Sequence, residues 1–517
     1  MNYAEQLQRI ERKLQSVRKL DPTGERSYGA ERHLYRLGKP LTESQVNIFE
    51  TECRISLPED YRAFLTTVGG SIDDEQYGAG PYYGIYSLAR IANYRGYSSS
   101  EKEYNPDLCN SCTVYPNMSE EEWDEASNDE AVYPYRGMMI FGTQGCTYPM
   151  MLVLNGEYRG RVVYIDEERS RPPVFTYEKN FLDWYERWLD EILAGYDLRS
   201  FGYNIGGDEQ SLIRLFQETD DTALQEKCVG SFFKFPSVDE QTLVFLETVA
   251  QMESSPVKCL AVQMLVKSDY PRSKPYLTQS VFGTENEKLA AFQAIHWYAS
   301  KHRDDWTKPI LSVLPEIKEE RTLNFVSYIL GESKDFLQTL LAIPDPSLIV
   351  RKKMIEKLGR TFKPDRLDIF YQGLDDPNDI IVLTTLQAVR LITEPGFLSY
   401  FEKLIVQYSQ RYEKRKQDNP NDNELIEEQV SELLSEKFPR QVWVPQTIES
   451  HILWTILACL KPYGQIADDL VKKMTELQHT SIAAIAEDDL KQREWIRAKQ
   501  EKRKTPWAKL LRLLHWR

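Results

Sequence analysis

The sequence predicts an α+β domain over residues 28–200, followed by an all-α region of repeated helices. Apolar runs with the pattern of strands are confined to residues 138–166, and segments with helical periodicity lie before and after them. Beyond residue 201 the strand pattern almost disappears, and apolar helical segments recur about every 30 residues. The 517 residues are too many for one hydrophobic core, so more than one domain is expected.

The N-terminal segment, residues 1–27, is predicted to be a charged amphipathic helix. It lacks the apolar centre of a signal peptide, and no apolar run in the chain reaches the ~18–20 residues of a membrane span. Charged residues make up 28% of the chain. We therefore expect a cytoplasmic protein without a transmembrane segment.

Two helices with clear end signals follow. Thr42 and Gln45 have the spacing of a capping box at the start of the first, "LTESQVNIFETECR". Ser56 and Glu59 have the same spacing at the start of the second, and Gly69-Gly70 supplies a left-handed stop. Since the apolar residues of each helix share one face, the pair is predicted to form a hairpin packed on a core.

The strand-like runs are "MMIFGT" (138–143) and "MLVLNGEYRGRVVYID" (151–166). The second run contains the turn signal Asn155-Gly156, which predicts antiparallel strands. A closing helix with an aromatic face follows the N-cap residue Asn180. Helices before and after a meander favour an α+β fold over alternating βαβ units.

The all-α region is predicted over residues 201–480. Its apolar helical segments begin near Leu260, Leu289, Leu323, Ile349 and Val382. This loose period, together with the similar turns Asp345-Pro346 and Asp376-Pro377, is typical of an α-solenoid and resembles HEAT-type repeats. An irregular helical domain with coincidental spacing is the alternative. The polar stretch 409–429 is predicted to be a mobile insertion.

The C-terminal tail, residues 481–517, is predicted to be a basic amphipathic helix. From residue 491 onward it carries ten Lys and Arg residues against two Glu. One interpretation is a solvated helix that caps the solenoid. The other is contact with anionic lipid, nucleic acid or the protein's own acidic loop.

No pattern of catalytic chemistry is found. The phosphate-binding, dinucleotide, nucleophile-elbow and zinc-protease motifs are all absent, and the six histidines are scattered. Cys109 and Cys112 have the spacing of zinc ligands, but only Cys146 offers a third ligand. We therefore predict no catalytic, cofactor-binding or metal-binding residue, although an enzyme without a recognisable motif stays an alternative.

The segment "LPEDYRAFL", the following Gly69-Gly70 and the later "GAGPYYGIYSL" resemble the SUKH superfamily. The upstream "YGAERHLYRLGKPLTESQVNIFE" (28–50) is similar to one subgroup. The resemblance extends over about 28–195, and its first half is the more specific part. This chain departs from the pattern by inserting "SIDDEQY" before GAGPYYG.

The resemblance implies a partner-binding protein without catalytic residues. Bacterial SUKH members are typically immunity proteins that neutralise toxins, often nucleases or deaminases, of polymorphic or contact-dependent systems. Fungal relatives act as interaction hubs in cell-wall synthesis. We expect an immunity or antitoxin-like protein that binds a cognate, basic toxin. The alternative is a non-catalytic SUKH and HEAT-like scaffold in regulation or cell-envelope synthesis.

Charge suggests where such a partner binds. The net charge of -15 argues against direct binding of nucleic acid and suits a basic protein. Acidic residues are dense between Glu101 and Tyr135, where aromatic residues accompany them. The predicted partner-binding residues are Tyr82, Tyr83, Glu120, Glu121, Glu122, Trp123, Asp124 and Glu125. The alternatives are a merely solvated loop, a loop folded onto the basic tail, or binding on the concave face of the solenoid.

Overall fold

The computed structural model describes residues 3–71, 77–93, 108, 111–127, 134–331, 333–360, 366–425 and 445–504. The chain divides into two compact units, Met1–Ala299 and Ser300–Arg517. The first unit holds the α+β domain together with the first helices of the all-α region. That residues 28–200 fold by themselves stays a prediction.

In the described part of the chain, the first unit opens with five α-helices, α1 (Ala4–Leu20), α2 (Glu43–Cys53), α3 (Glu59–Thr67), α4 (Leu88–Ala92) and α5 (Glu120–Ser127). The apolar face of α1 is buried in the same core as the α+β domain, so this helix is part of that domain. The capping box of Thr42 and Gln45 at the start of α2 is confirmed. Gly69 has the left-handed backbone expected after α3.

The predicted capping box of Ser56 and Glu59 is wrong. Helix α3 begins only at Glu59, and its N-cap residue is Pro58, which has no side chain able to accept a hydrogen bond. The backbone N–H of Leu57 instead donates to Glu50 of α2 at 2.8 Å. Glu50 of the preceding helix α2 therefore accepts the hydrogen bond just before the start of α3, and Ser56 lies outside α3.

Among the residues that the structure describes, the sheet is an antiparallel meander of four strands in sequence order. They are β1 (Met138–Thr143), β2 (Pro149–Val153), β3 (Val162–Tyr164) and β4 (Val174–Phe175). The predicted strand runs and the turn between β2 and β3 are confirmed. Residues of β1, β2 and β3 are buried throughout, because helices cover the sheet.

The closing aromatic helix, α6 (Phe181–Ala194), is anchored to α3. Asn180 caps it as predicted, since its side chain accepts from the N–H of Asp183. A second cap comes from Asp60, whose carboxylate accepts from the N–H groups of Phe181 at 2.8 Å and Leu182 at 3.2 Å. Asp60, the second acid of "LPEDY", therefore holds the N-terminus of α6 against α3.

The first unit continues with six helices, α7 (Glu209–Gln217), α8 (Thr222–Ser231), α9 (Glu240–Ala250), α10 (Pro256–Ser268), α11 (Tyr270–Val281) and α12 (Glu285–Tyr298). Helix α10 packs between α8 and α12, while α7 packs against α9 in a second layer. This alternation is the arrangement of stacked helical pairs.

The second unit contains α13 (Arg303–Val313), α14 (Glu320–Leu330), α15 (Lys334–Ala342), α16 (Leu348–Arg360), α17 (Leu367–Leu374), α18 (Asp379–Val389), α19 (Phe397–Asp418), α20 (Ile448–Leu460), α21 (Asp468–Thr475) and α22 (Thr480–Lys504). Helix α16 packs between α14 and α18, and α20 packs on the other side of α18. The five predicted repeat segments lie in α10, α12, α14, α16 and α18. The all-α fold after the α+β domain is thus confirmed, and its stacking is consistent with helical repeats.

Part of the predicted mobile insertion is helical. Residues 409–418 continue α19, because Tyr412 is buried and Arg415 forms ion pairs with Asp422 and Glu449. Residues 426–429 lie outside the described part of the chain. The same holds for residues 505–517 of the basic tail, while its earlier residues belong to α22, where Trp495 is 62% exposed. Contact of the tail with a surface stays a prediction.

Candidate partner-binding site

The GAGPYYG segment is held against residues 28–36 by a buried histidine. The Nε2 atom of His33 lies 2.9 Å from the carbonyl oxygen of Gly80, and Nδ1 accepts from the N–H of Tyr35 at 3.0 Å. Since Nδ1 is the acceptor, Nε2 carries the proton and donates to Gly80. Burial lowers the pKa of His33 to about 4, so the neutral ring is the folded form.

Gly84 closes the turn beneath this histidine. Its φ of +97° lies in the left-handed region, and a Cβ atom there would stand 2.8 Å from Cδ2 of His33. No other residue combines that backbone with so little volume. The glycines of GPYYG are therefore needed for close packing and do not form a phosphate loop.

The two tyrosines of the motif point to opposite sides. Tyr82 is buried, and its hydroxyl donates to the carbonyl oxygen of Phe201 at 2.8 Å. Its φ of +56° is unusual for a bulky residue and carries local strain. Tyr82 therefore lies in the core and offers no ring to a partner, whereas this strained backbone directs Tyr83 outward.

Tyr83 is half-buried and lies among exposed residues in a surface cluster that we call the Tyr83 patch, formed by Tyr28, Arg32, Tyr83 and Cys146. The hydroxyls of Tyr28 and Tyr83 are 3.1 Å apart, and their rings meet edge to face with centroids 5.6 Å apart. Arg32 approaches the ring of Tyr83 at 6.0 Å. The hydrogen bond with Tyr28 raises the pKa of Tyr83 to about 12, so the phenol stays protonated at neutral pH.

A shallow cavity of about 220 Å³ opens beside the patch. Tyr77, Thr143 and Gly145 line it together with members of the patch. Rigid aromatic rings with polar tips next to a guanidinium are typical of residues that dominate protein interfaces. The Tyr83 patch can therefore contact a protein partner through stacking and hydrogen bonds.

The second part of the predicted site is α5, whose five carboxylates are all exposed. They belong to Glu120, Glu121, Glu122, Asp124 and Glu125. Ser119 caps the helix, since its Oγ accepts from the N–H of Glu122 at 3.2 Å, and Glu122 accepts in return from the N–H of Ser119 at 2.8 Å. The acidic residues near the N-terminus of α5 also interact favourably with the positive end of the helix dipole.

Trp123 is not an exposed ring, contrary to the prediction of aromatic anchors on an acidic surface. It is 1% exposed and stacks on Tyr135 at 5.3 Å. Its Nε1 donates to the carbonyl oxygen of Arg169 at 2.9 Å, and the guanidinium of Arg169 donates to the carbonyl oxygen of Ser127 at the end of α5. The indole thus fastens the acidic helix to the domain and keeps its charges outside.

The described residues bring the five carboxylates together on one helix but do not join them to Tyr83. No hydrogen bond or ring contact between Tyr83 and α5 is found within the described part of the chain. Some acidic and aromatic residues of the predicted loop lie outside it, namely Glu101, Glu103, Tyr104, Asp107, Asp129, Glu130 and Tyr133.

Among the residues that the structure describes, no group of three His, Cys, Asp or Glu side chains could hold a metal ion. Cys109 is outside those residues, and Cys112 donates to the carbonyl oxygen of Val114 at 3.4 Å. Within the same limits, no helix has the length and apolar content to cross a bilayer.

Sequence reasoning missed Tyr28 and Arg32 as members of the site. Both stand in the quoted "YGAERH" segment, but their exposure and their contact with Tyr83, 55 positions away, are not visible in local patterns. The signal that was available is the resemblance itself, because it paired this segment with GPYYG.

A small antiparallel meander enclosed by helices defines an α+β domain. Residues 40–187 match the model of the SMI1 / KNR4 family (SUKH-1). This part of the chain is a SUKH domain, as the resemblance predicted, and it extends from just before α2 into α6. Comparisons with curated proteins and with solved structures find no match.

Proposed function

We propose that this chain is a cytoplasmic immunity protein that binds and neutralises a cognate protein toxin. The SUKH domain supports this proposal, because that family is consistent with proteins of the immunity type and generally serves immunity or regulation without catalysis. We also propose that the protein acts by binding alone and does not bind nucleic acid directly. Its net charge of -15 favours a basic partner.

The observation that carries the proposal is the display of five exposed carboxylates on α5. The buried Trp123 fixes the helix, so these charges are presented in a defined arrangement rather than on a loose loop. A toxin that acts on nucleic acid needs a basic face to grip phosphates. The carboxylates of α5 can occupy that face and speed association by electrostatic attraction.

The test replaces Glu120, Glu121 and Glu125 with Gln and Asp124 with Asn, and keeps Glu122 because it caps the helix. The candidate partner for this test is the product of a toxin gene immediately upstream, which the immunity function predicts. We expect its association rate to fall at least tenfold at low salt and to lose most of its salt dependence, since long-range attraction sets both. Stopped-flow or surface-based kinetics over a range of salt measure this.

A matched control removes the same number of exposed carboxylates elsewhere in the first unit, at Glu218, Asp220, Glu226 and Glu253. Its association should match that of the unaltered protein. An α5 variant that stays folded and binds at an unchanged rate at every salt concentration would remove α5 from the site. An upstream protein that is neither toxic nor bound would contradict the immunity function itself.

The stacked helices favour a second candidate function, a SUKH and HEAT-like scaffold. Repeat arrays present long surfaces to several partners, and α14, α16, α18 and α20 form such a row. Tyr328 of α14 and Trp454 of α20 are 58% and 43% exposed. A scaffold would bind partners through residues 303–504 alone, without protecting cells from a toxin, and co-expression assays separate these outcomes.

A further inference from the structure

Arginine side chains lie against tyrosine rings at the Tyr83 patch and beside its cavity. Arg32 lies over Tyr83 in the patch itself, and Tyr77, which lines the cavity, holds a second arginine. The Cζ atom of Arg90 lies 4.8 Å from the ring centroid of Tyr77 and 4.4 Å from that of Tyr86. Its guanidinium also donates to the hydroxyl of Tyr77 at 3.3 Å. Because the electron-rich face of an aromatic ring attracts a cation at such distances, these rings hold Arg90 in place.

A third arginine, Arg171, packs against the turn between β1 and β2. Gly145 of this turn lines the cavity and lies so close to Tyr83 that a Cβ atom there would stand 2.5 Å from the ring. At the end of the same turn, the ring centroid of Tyr148 lies 4.8 Å from the Cζ atom of Arg171. The guanidinium also donates to the hydroxyl of Tyr203 at 3.4 Å. The turn thus connects Arg171 to the Tyr83 patch.

The three arginines have no carboxylate of their own. Within the described part of the chain, none of them forms an ion pair or a hydrogen bond with Asp or Glu. Arg187 of the same domain is the contrasting case, because it also lies over an aromatic ring but is buried and bonded to two glutamates. Arg32 and Arg171 are exposed, and Arg90 is half-buried. These three residues, which we call the arginine face, can therefore bind carboxylates from outside the chain.

The hydrogen-bonding groups of this surface are suited to a carboxylate. A guanidinium that stacks on a ring keeps its N–H edge for hydrogen bonds, and one carboxylate can accept two of them at once. The phenols of the patch add a further donor. Tyr28 and Tyr83 share one hydrogen bond between their hydroxyls, so one of the two O–H groups remains able to donate. The surface thus offers donors to a partner that is rich in acceptors.

We propose that the arginine face binds an acidic segment of a protein partner, whose Asp and Glu carboxylates bond to Arg32, Arg90 and Arg171. Charge complementarity carries this inference, because three cations without a carboxylate lie together in a chain with a net charge of -15. A strand of nucleic acid fits less well, since its polyanionic backbone needs a longer basic track and is repelled by that net charge. The inference goes beyond the proposed function, in which α5 attracts a basic face. Its test uses no toxin, so either proposal can fail alone.

The probe is a fluorescent tetraglutamate peptide added to the full-length protein at low salt. A tetraglutamine peptide is the uncharged control, and an oligothymidylate of equal charge tests for nucleic acid. Fluorescence anisotropy measures affinity, and hydrogen exchange locates the contact, because the basic tail can also attract an acidic peptide. We expect the tetraglutamate peptide to slow exchange in residues 28–36 and 143–148, and to bind more weakly as salt rises. The tetraglutamine peptide should leave exchange in both segments unchanged.

Two double variants tie the binding to the arginine face. Arg32→Gln with Arg171→Gln removes two exposed guanidiniums and should abolish the exchange effect, with affinity at this site falling roughly tenfold or more. Arg12→Gln with Arg214→Gln removes two exposed guanidiniums elsewhere in the first unit and should leave the exchange effect unchanged.

The proposal is overturned if the tetraglutamate peptide does not slow exchange in residues 28–36 and 143–148, or slows it only elsewhere in the chain. It is equally overturned if the tetraglutamine peptide has the same effect, or if the effect persists undiminished in the Arg32→Gln, Arg171→Gln variant. An oligothymidylate that protects the same segments more strongly than the peptide would identify nucleic acid as the occupant instead.

Discussion

At the scale of single residues, the SUKH motif is a set of buried polar contacts between segments far apart in sequence. His33 fastens residues 28–36 to the GPYYG turn, and Asp60 fastens α3 to α6. Neither role follows from sequence periodicity, because each contact joins residues that are far apart in the chain. Buried polar groups persist only where partners satisfy them, and those partners become visible only in three dimensions.

His33 predicts a specific acid sensitivity. Its pKa is about 4 in the folded protein against an ordinary value of 6.5, so the unfolded chain takes up a proton first as pH falls. Stability from this group is complete above pH 6.5 and is lost between 6.5 and 4, by roughly 3 kcal/mol in total. His33→Gln should lose less stability over that range, as measured by calorimetry of the first-unit transition.

The exposed His302 provides the control, and His302→Gln should keep the full acid sensitivity of the unaltered protein. If His33→Gln and the unaltered protein lost stability in parallel from pH 6.5 to 4, the buried ring would not be the responsible group.

At the scale of elements, the sequence predicted helix and strand positions well but helix ends unevenly. The meander, the box at Thr42 and the cap at Asn180 depend on neighbours within a few positions, and all three are confirmed. The predicted capping box at Ser56 is wrong, because Glu50 of the preceding helix accepts the backbone hydrogen bond before the start of α3. Helix ends are therefore predicted correctly where the side chain that caps the helix lies within a few residues of it in the sequence.

The candidate site was predictable in composition but not in orientation. The carboxylates of α5 were correctly placed on the surface, whereas Trp123 and Tyr82 were assigned to a partner and lie in the core. In a sequence, an aromatic residue within an acidic stretch predicts an exposed ring that contacts a partner. Here, the ring anchors the helix to its own domain through the carbonyl oxygen of Arg169.

The contact between α3 and α6 gives a prediction about Asp60. Asp60→Ala leaves the N–H groups of Phe181 and Leu182 buried without their side-chain acceptor, which should cost about 1–3 kcal/mol. Asp60→Asn keeps an acceptor and should cost less. Chemical unfolding of the first unit at neutral pH measures both.

The same residue has a pH signature opposite to that of His33. Burial raises the pKa of Asp60, so the folded state binds the proton more readily than the unfolded one. As pH falls through the raised value, the unaltered protein should gain stability relative to Asp60→Asn. If the unaltered protein instead loses stability relative to Asp60→Asn as pH falls, the buried carboxylate is better accommodated in its charged form.

At the scale of the whole molecule, the boundary between the α+β domain and the repeats is crossed by buried bonds. Tyr82 donates to Phe201, and Glu191 accepts from Lys234, both beyond residue 200. Composition and periodicity change near residue 200, but these bonds do not appear in either. Composition and periodicity therefore predict where the α+β domain ends and the helical repeats begin. They do not reveal the buried hydrogen bonds that join the α+β domain to the first repeats.

Two fragments test this junction. Residues 1–200 should fold into an α+β domain, but they should be less stable than residues 1–299 by roughly 3–5 kcal/mol, because loss of Lys234 leaves a buried charge network incomplete. Urea unfolding followed by tryptophan fluorescence gives both values. Equal stability would mean that the network contributes nothing, and an unfolded 1–200 fragment would mean that the repeats are part of the core.

The packing of α1 on α6 has a consequence for synthesis of the protein. Gln6 and Asp183, which are hydrogen-bonded, lie 177 positions apart. Ribosomes add roughly 5–20 residues per second, so the apolar face of α1 remains uncovered for about 9–35 s before α6 is synthesised. A nascent chain in that interval exposes an amphipathic helix with nothing to cover it, which makes this segment a preferred substrate for ribosome-bound chaperones.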